Sequence, residues 1–163
     1  MVKAITDLPI AILTNASLLH LKEVQITLSK LDKVIAKLDA PNSELLRKIN
    51  KPHASISIDD ILNGLKGFRR AYAGEFELQM MFINENKGGA EDLARIAAEI
   101  KPDRVDINTP LRPCSVEPLS REQINIIKNI FEWNGLDTIS VYDAAKPEVK
   151  TINHEATFRR RPE

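Results

Sequence analysis

Five short segments rich in isoleucine, valine and leucine alternate with stretches of helical pattern, and this alternation constrains the fold more than any other feature. The strand-like segments are residues 9–14, 34–39, 75–83, 104–109 and 138–142. Strands that alternate with helices are typical of repeated strand-helix units and a parallel sheet. A complete eight-unit barrel needs about 200 residues or more. The sequence therefore predicts an α/β fold: a partial barrel with an open parallel sheet of about five strands and helices on its outer face.

Local signals mark where two of the longer helices begin. Ser57 followed by Asp60, and Ser120 followed by Gln123, match the capping box at a helix amino terminus. After residue 143 the sequence becomes polar and irregular. We therefore expect residues 1–143 to form the strand-helix part and residues 144–163 to form an irregular linker or tail.

Charge and cysteine content exclude several classes of function. The chain has 23 Lys plus Arg and 23 Asp plus Glu, so no overall field favours nucleic acid or a membrane. Its apolar runs are far shorter than the roughly 20 residues that span a bilayer, which predicts a cytoplasmic protein without a membrane partner. The single cysteine, Cys114, excludes an internal disulfide, and the three histidines are isolated from one another. No metal site is expected within this chain alone.

Polar side chains recur on one side of three successive strands. In residues 34–39, Lys37 and Asp39 fall on the face opposite their apolar neighbours, because strand side chains alternate. The same spacing adds four further polar side chains to this face: Glu77, Gln79, Asp106 and Asn108. Parallel sheets are usually covered on both faces, so this pattern predicts either a solvent-exposed sheet face or a polar, concave lumen.

Polar residues that follow the strands favour the lumen over the exposed face. Thr14 and Asn15 follow the first strand, and residues 109–113, which include Arg112, follow the fourth. Barrels and open α/β folds place their sites at these carboxyl ends. Lys37 and Asp39 can hydrogen-bond hydroxyl, carboxylate and amino groups, and the guanidinium of Arg112 suits a carboxylate. The pattern indicates binding and does not specify a reaction, and no G-x-x-x-x-G-K-[ST], G-x-G-x-x-G, H-E-x-x-H or G-x-S-x-G motif is present.

Several short sequence words occur together in a recognisable order. They are ILTNASLL at 12–19, AKLDAPN at 36–42, KINKPH at 48–53, LQMMF at 78–82, DINTPLRPC at 106–114, and the arginine run at 159–162. Together they resemble the microbial radical SAM iron-sulfur oxidoreductases that are related to the wyosine-base synthases of tRNA modification.

The resemblance implies a partial barrel in which S-adenosylmethionine binds a [4Fe-4S] cluster and is cleaved to a 5′-deoxyadenosyl radical. In that family, cysteines spaced C-x-x-x-C-x-x-C hold the cluster, and they would precede Met1. Residues 1–143 then correspond to the later part of the core barrel. A cluster is not expected in this chain alone, which by itself is expected to be inactive.

The resemblance also assigns roles to individual residues. Thr14, Asn15, Lys37 and Asp39 match the cofactor-binding ends of the third and fourth family strands. The expected substrate-binding residues are Gln79, Asn108 and Arg112.

The missing cluster ligands and the open sheet edge predict a partner, which is either an amino-terminal cluster-bearing half or a second copy that pairs with this edge. An RNA substrate follows by family analogy only. The alternative is a non-catalytic half-barrel that acts as a binding or interaction module.

Overall fold

The computed structural model describes residue 5, residues 7–112 and residues 114–143. Within those ranges one sheet of five parallel strands follows the order of the sequence. The strands are β1 (Ala11–Thr14), β2 (Lys33–Lys37), β3 (Glu75–Met81), β4 (Arg104–Asn108) and β5 (Thr138–Ser140). The predicted open parallel sheet is confirmed. The predicted tail at 144–163 and the arginine run within it lie outside the described residues.

Helices connect the strands as the alternation predicts. They are α1 (Lys22–Leu28), α2 (Ser43–Ile49), α3 (Ile58–Ala71), α4 (Ala90–Ile100) and α5 (Arg121–Trp133). A 3₁₀ turn at Lys87–Gly89 precedes α4. The connection from β2 to β3 differs from the others because it contains two helices, so α2 and the following loop are an addition at the carboxyl end of β2.

The core lies between the sheet and these helices. The strand side chains on this face are fully buried: Val34, Ala36, Phe76, Leu78, Met80, Val105 and Ile107. Phe68 of α3 packs edge-on against Phe76, and Phe131 of α5 packs edge-on against Phe82. Leu78 and Met80 of β3 and Phe82, which follows it, are fully buried and therefore pack beneath helices.

Both capping signals mark real helix starts, but only one is a complete capping box. At α5, Ser120 and Gln123 each bond the backbone of the other. At α3, Ser57 Oγ accepts from the Asp60 amide and donates to the Asp60 carboxylate. The reciprocal bond of a capping box, from the Ser57 amide to the Asp60 side chain, is not formed. An aspartate side chain is one methylene shorter than glutamate, and here it binds the serine hydroxyl.

The strands are shorter than the apolar runs that predict them. β2 ends at Lys37, two residues before the predicted limit, because the amide of Met81 on the neighbouring strand donates to the side chain of Asp39. A side chain thus replaces the backbone as the acceptor where the ladder between β2 and β3 ends.

Candidate functional site

The strand register puts the expected polar residues on one face. Lys37 lies beside Gln79, and Met81 lies beside Asn108. Side chains in register on neighbouring parallel strands share a face, and side chains two residues apart on one strand do too. Lys37, Gln79 and Asn108 therefore lie opposite the helix-covered core. Asp39 follows on the same side, with Oδ2 3.3 Å from Lys37 Nζ.

Near the amino ends of the strands, the charged side chains of the polar face form ion pairs with one another. Lys33 Nζ lies 3.0 Å from Glu75 Oε1 and 2.8 Å from Glu77 Oε1. On the other side, Arg104 Nη2 lies 2.8 Å from Glu77 Oε1, and its Nε lies 3.1 Å from Asp106 Oδ1. This half of the face offers little free charge to a ligand.

Glu77 is the centre of that network and is buried. Its side chain is 1% exposed, and Oε2 has no hydrogen-bond partner within the described ranges. Burial raises the pKa of Glu77, and its two cationic neighbours oppose this shift. Partial burial lowers the pKa of Lys33, but the pairs with Glu77 and Glu75 outweigh it and raise the pKa above its ordinary value.

A pocket of about 150 Å³ opens at the carboxyl ends of β1 and β2. One part of its wall is polar and another is apolar, and the apolar part comes largely from α2, from the loop at 50–57 and from the start of α3. The lining residues are Asn15, Ser17, Lys37, Leu38, Asp39, Ala40, Leu46, Asn50, Pro52, Ile56, Ile58 and Ile61.

Asn15 lies in a tightly packed loop, and its side-chain amide hydrogens bond no group within the described ranges. Its Oδ1 accepts from the Ser17 amide at 3.1 Å and from Ser17 Oγ at 2.8 Å. The next residue, Ala16, is buried with a positive φ of 62°. The loop then rests on α3 at Gly64, where an added Cβ would lie 2.6 Å from the His20 nitrogen. Because the carbonyl oxygen of the Asn15 side chain is occupied, its amide hydrogens are left to donate.

Asp39 is largely committed to contacts inside the protein. It is 5% exposed, with Oδ1 accepting from the Met81 amide at 2.8 Å and Oδ2 accepting from Asn50 Nδ2 at 2.9 Å. Lys37 shares Oδ2 but is one-third exposed, and its ammonium has three hydrogens to donate. Of these two predicted cofactor-binding residues, Lys37 is thus more accessible than Asp39, and it retains free donors.

The other expected site residues lie away from the pocket. Thr14 is in register with the buried Ala36 and so faces the helices, and its Oγ1 accepts from the Ala16 amide. Arg112 is exposed in the loop after β4. The structure therefore brings Asn15, Lys37 and Asp39 together. It places Gln79 and Asn108 on the same face outside the pocket lining.

Asn50 and the apolar wall are parts of the pocket that the sequence did not identify. Asn50 is the C-cap residue of α2, and Ile56, Ile58 and Ile61 come from the loop and helix that follow. The sequence signal for Asn50 is the segment at 48–53, which stands out only through the resemblance. A polar residue that ends a short helix just after β2 could have been noticed on its own.

The chain does not fit a [4Fe-4S] cluster. Cys114 is exposed, and its thiol donates to the Val116 carbonyl oxygen at 3.3 Å. Clusters of this type are held by several cysteine thiolates. In the part of the chain that the structure describes, no group of three or more His, Cys, Asp or Glu residues is arranged to bind a metal ion.

None of the described helices has the length and apolar character required to cross a membrane.

Solved structures define the class of fold. A radical SAM methyltransferase from Sphaerobacter thermophilus superposes with a TM-score of 0.62 at 20% identity, over 80% of this chain and 39% of that one. A domain of the pyruvate-formate lyase-activating enzyme from Bacteroides vulgatus gives 0.65 at 15% identity, over 80% and 79%. Streptococcus suis SuiB, bound to S-adenosylmethionine, gives 0.62 at 15% identity, over 80% and 32%. The chain therefore has an α/β fold of the type present in these proteins.

Curated sequences give relatives of higher identity. A protein named GTPase Obg from Brachyspira hyodysenteriae is 39% identical, over 94% of this chain and 24% of that protein. UPF0026 proteins from Methanocaldococcus jannaschii and a Synechocystis species are 34% and 35% identical, over 76% and 74% of this chain. The chain spans 40% and 45% of those two proteins, so it covers less than half of each of these three relatives. No protein-family profile matches the sequence.

Proposed function

We propose that this chain forms the S-adenosylmethionine-binding side of a radical SAM enzyme. The complete form would cleave that cofactor at a [4Fe-4S] cluster. The shared fold and the ordered sequence words support the assignment. One observation carries it: side chains from the ends of two adjacent strands meet in a pocket and have hydrogens to donate.

The chemistry of the pocket suits one end of this cofactor. Lys37 and Asn15 would donate to the carboxylate or hydroxyl oxygens of the ligand, and Ile56, Ile58 and Ile61 would contact its apolar parts. The volume of this pocket is about 150 Å³. The pocket would hold part of the ligand, and the remainder would extend over the open face of the sheet.

With a reduced cluster, S-adenosylmethionine supplies a 5′-deoxyadenosyl radical. The cluster ligands would have to come from residues other than these 163, because only one cysteine is present. Gln79, Asn108 and Arg112 are the proposed substrate contacts, and their side chains bond no other side chain or backbone group within the described ranges. RNA is the substrate class that the resemblance implies. A GTPase activity is not proposed, because the phosphate-binding motif G-x-x-x-x-G-K-[ST] is absent from the sequence.

Calorimetric titration of the chain with S-adenosylmethionine tests the proposal. We expect Lys37→Met to weaken binding about tenfold or more, because hydrogen bonds to charged groups contribute about 1.5–3 kcal/mol. Lys30→Met is the matched control, since Lys30 is exposed and does not line the pocket. No binding by the wild type, or equal binding by Lys37→Met, would contradict the proposal.

The interaction-module alternative also has a structural observation in its favour. β1 pairs with β2 alone among the described strands, and Leu13 of β1 is 54% exposed. Edge strands with free backbone groups and apolar side chains attract partners. We propose that an amino-terminal half or a second copy covers this edge.

Light scattering over a concentration series tests the covered edge. Self-association should decrease in Leu13→Lys and persist in Ile26→Lys. Ile26 is the matched control, because its side chain is also 54% exposed but lies on α1 and not on the edge strand. A wild-type chain that stays monomeric at all concentrations would contradict self-association through the edge.

A further inference from the structure

We propose that Asp39 is a positioning residue that fixes Lys37 and closes α2 over the pocket, and that it does not contact the ligand itself. The inference rests on the proposed function of the pocket. It departs from the sequence-based expectation, in which Asp39 binds the cofactor directly. The argument starts from what each oxygen of this buried carboxylate already contacts.

The first contact ties Asp39 to the end of β3. Oδ1 accepts from the Met81 amide at 2.8 Å. The backbone of Asp39 is held at the same place, because Asn86 Nδ2 donates to the Asp39 and Met81 carbonyl oxygens, both at 2.9 Å. Asn86 is 1% exposed. These bonds leave Asp39 little freedom to turn toward a ligand.

The second contact ties Asp39 to α2. Oδ2 accepts from Asn50 Nδ2 at 2.9 Å, and Asn50 is the residue at which α2 ends. α2 contributes Leu46 to the pocket wall, and the loop after Asn50 contributes Pro52. The Asp39–Asn50 bond therefore determines how closely this wall approaches the end of β2.

The third contact orients the ligand-binding cation. Lys37 Nζ lies 3.3 Å from the same Oδ2, so the carboxylate draws the ammonium toward the pocket that both residues line. A ligand hydroxyl has little access to Asp39, because the residue is 5% exposed and the Met81 amide, the Asn50 amide and Lys37 already surround its oxygens. Displacement of a buried donor carries a desolvation cost that a new hydrogen bond only offsets.

A comparison of two ligands separates positioning from direct contact. Asp39→Asn replaces one acceptor oxygen by an NH₂ donor, which faces the Met81 amide in one orientation and Asn50 and Lys37 in the other. We expect it to weaken S-adenosylmethionine binding about tenfold. If Asp39 positions Lys37, the loss should be equal for the 2′-deoxy and 3′-deoxy analogues of S-adenosylmethionine. A loss that disappears with either analogue would show direct contact with that hydroxyl and would overturn the proposal.

Hydrogen exchange tests the α2 contact without any ligand. In Asn50→Ala the amides of residues 46–50 should exchange about five- to tenfold faster, because one hydrogen bond of about 1 kcal/mol is lost. Asn129→Ala, an amide deletion on the exposed side of α5, is the control and should leave this region unchanged.

The ligand-binding and hydrogen-exchange experiments can fail separately. If the wild type does not bind S-adenosylmethionine, the proposed function fails, and hydrogen exchange still decides whether Asp39 holds α2. Unchanged exchange at residues 46–50 in Asn50→Ala would overturn the positioning role, even if the wild type binds.

Discussion

The loop that carries Asn15 should depend on a glycine in α3. An added Cβ at Gly64 would lie 2.6 Å from the His20 nitrogen and 2.7 Å from the Leu19 carbonyl carbon. Both atoms belong to the backbone of the loop after β1, so no side-chain rotation can relieve the contact. Gly67, one turn later on the same helix, would meet only Gln25 Nε2 at an ordinary 3.6 Å.

Because of these distances, glycine-to-alanine substitutions at positions 64 and 67 should change stability in opposite directions. Alanine in place of glycine inside a helix stabilises by about 0.8–1 kcal/mol. Overpacking against an immobile neighbour costs about 1–3 kcal/mol. Gly64→Ala should therefore destabilise the chain by up to roughly 2 kcal/mol, and Gly67→Ala should stabilise it by up to about 1 kcal/mol.

Urea unfolding of the two variants and the wild type measures these differences by linear extrapolation. Because the displaced loop carries Asn15, affinity for S-adenosylmethionine should also fall in Gly64→Ala and stay unchanged in Gly67→Ala. If Gly64→Ala were as stable as Gly67→Ala, the loop would not be docked on α3 as described.

Three further outcomes follow from the charges and the cysteine. In urea unfolding at pH 7, Lys33→Met should destabilise by about 1–3 kcal/mol, because it removes a partner from buried Glu77. Glu77→Gln should destabilise the chain less than Lys33→Met, because Lys33 and Arg104 are partly exposed to water. A larger loss of stability in Glu77→Gln would contradict this account. Hydrogen bonds from Lys128 and the Ser140 amide lower the pKa of Asp143 to about 2, so their stabilisation is present at neutral pH and is lost as the pH falls through that value. In Asp143→Asn the free energy of unfolding should therefore depend less on pH in the acid range. An unchanged pH dependence would refute the assignment. Anaerobic reconstitution with iron and sulfide should give no stoichiometric [4Fe-4S] cluster, and iron analysis with visible absorption showing a full cluster in the monomer would contradict this.

The sequence predicts the sheet and its polar face because both depend on local periodicity. Alternation within each strand puts Lys37 and Gln79 opposite apolar neighbours, and parallel register then brings them side by side. The position of Asn15 follows in the same way, because the ends of parallel strands meet at one edge.

The sequence does not predict which polar groups are already satisfied. Glu77 and Gln79 have the same spacing, yet Glu77 is buried between two cations that come from other strands. Asp39 has its acceptors occupied by the Met81 amide and by Asn50, which follow it by 42 and 11 residues. Thr14 faces the helices because its register partner is Ala36. Such contacts depend on three-dimensional neighbours that no local pattern encodes.

The central claim is that S-adenosylmethionine binds at the carboxyl ends of β1 and β2. Amide chemical shifts of the ¹⁵N-labelled chain, recorded during titration with this ligand, locate the binding site residue by residue. We predict saturable changes at Asn15, Ser17, Lys37 and Asn50, with α5 unaffected. Saturable changes confined to other surfaces, or no change at these four amides in excess ligand, would contradict the claim.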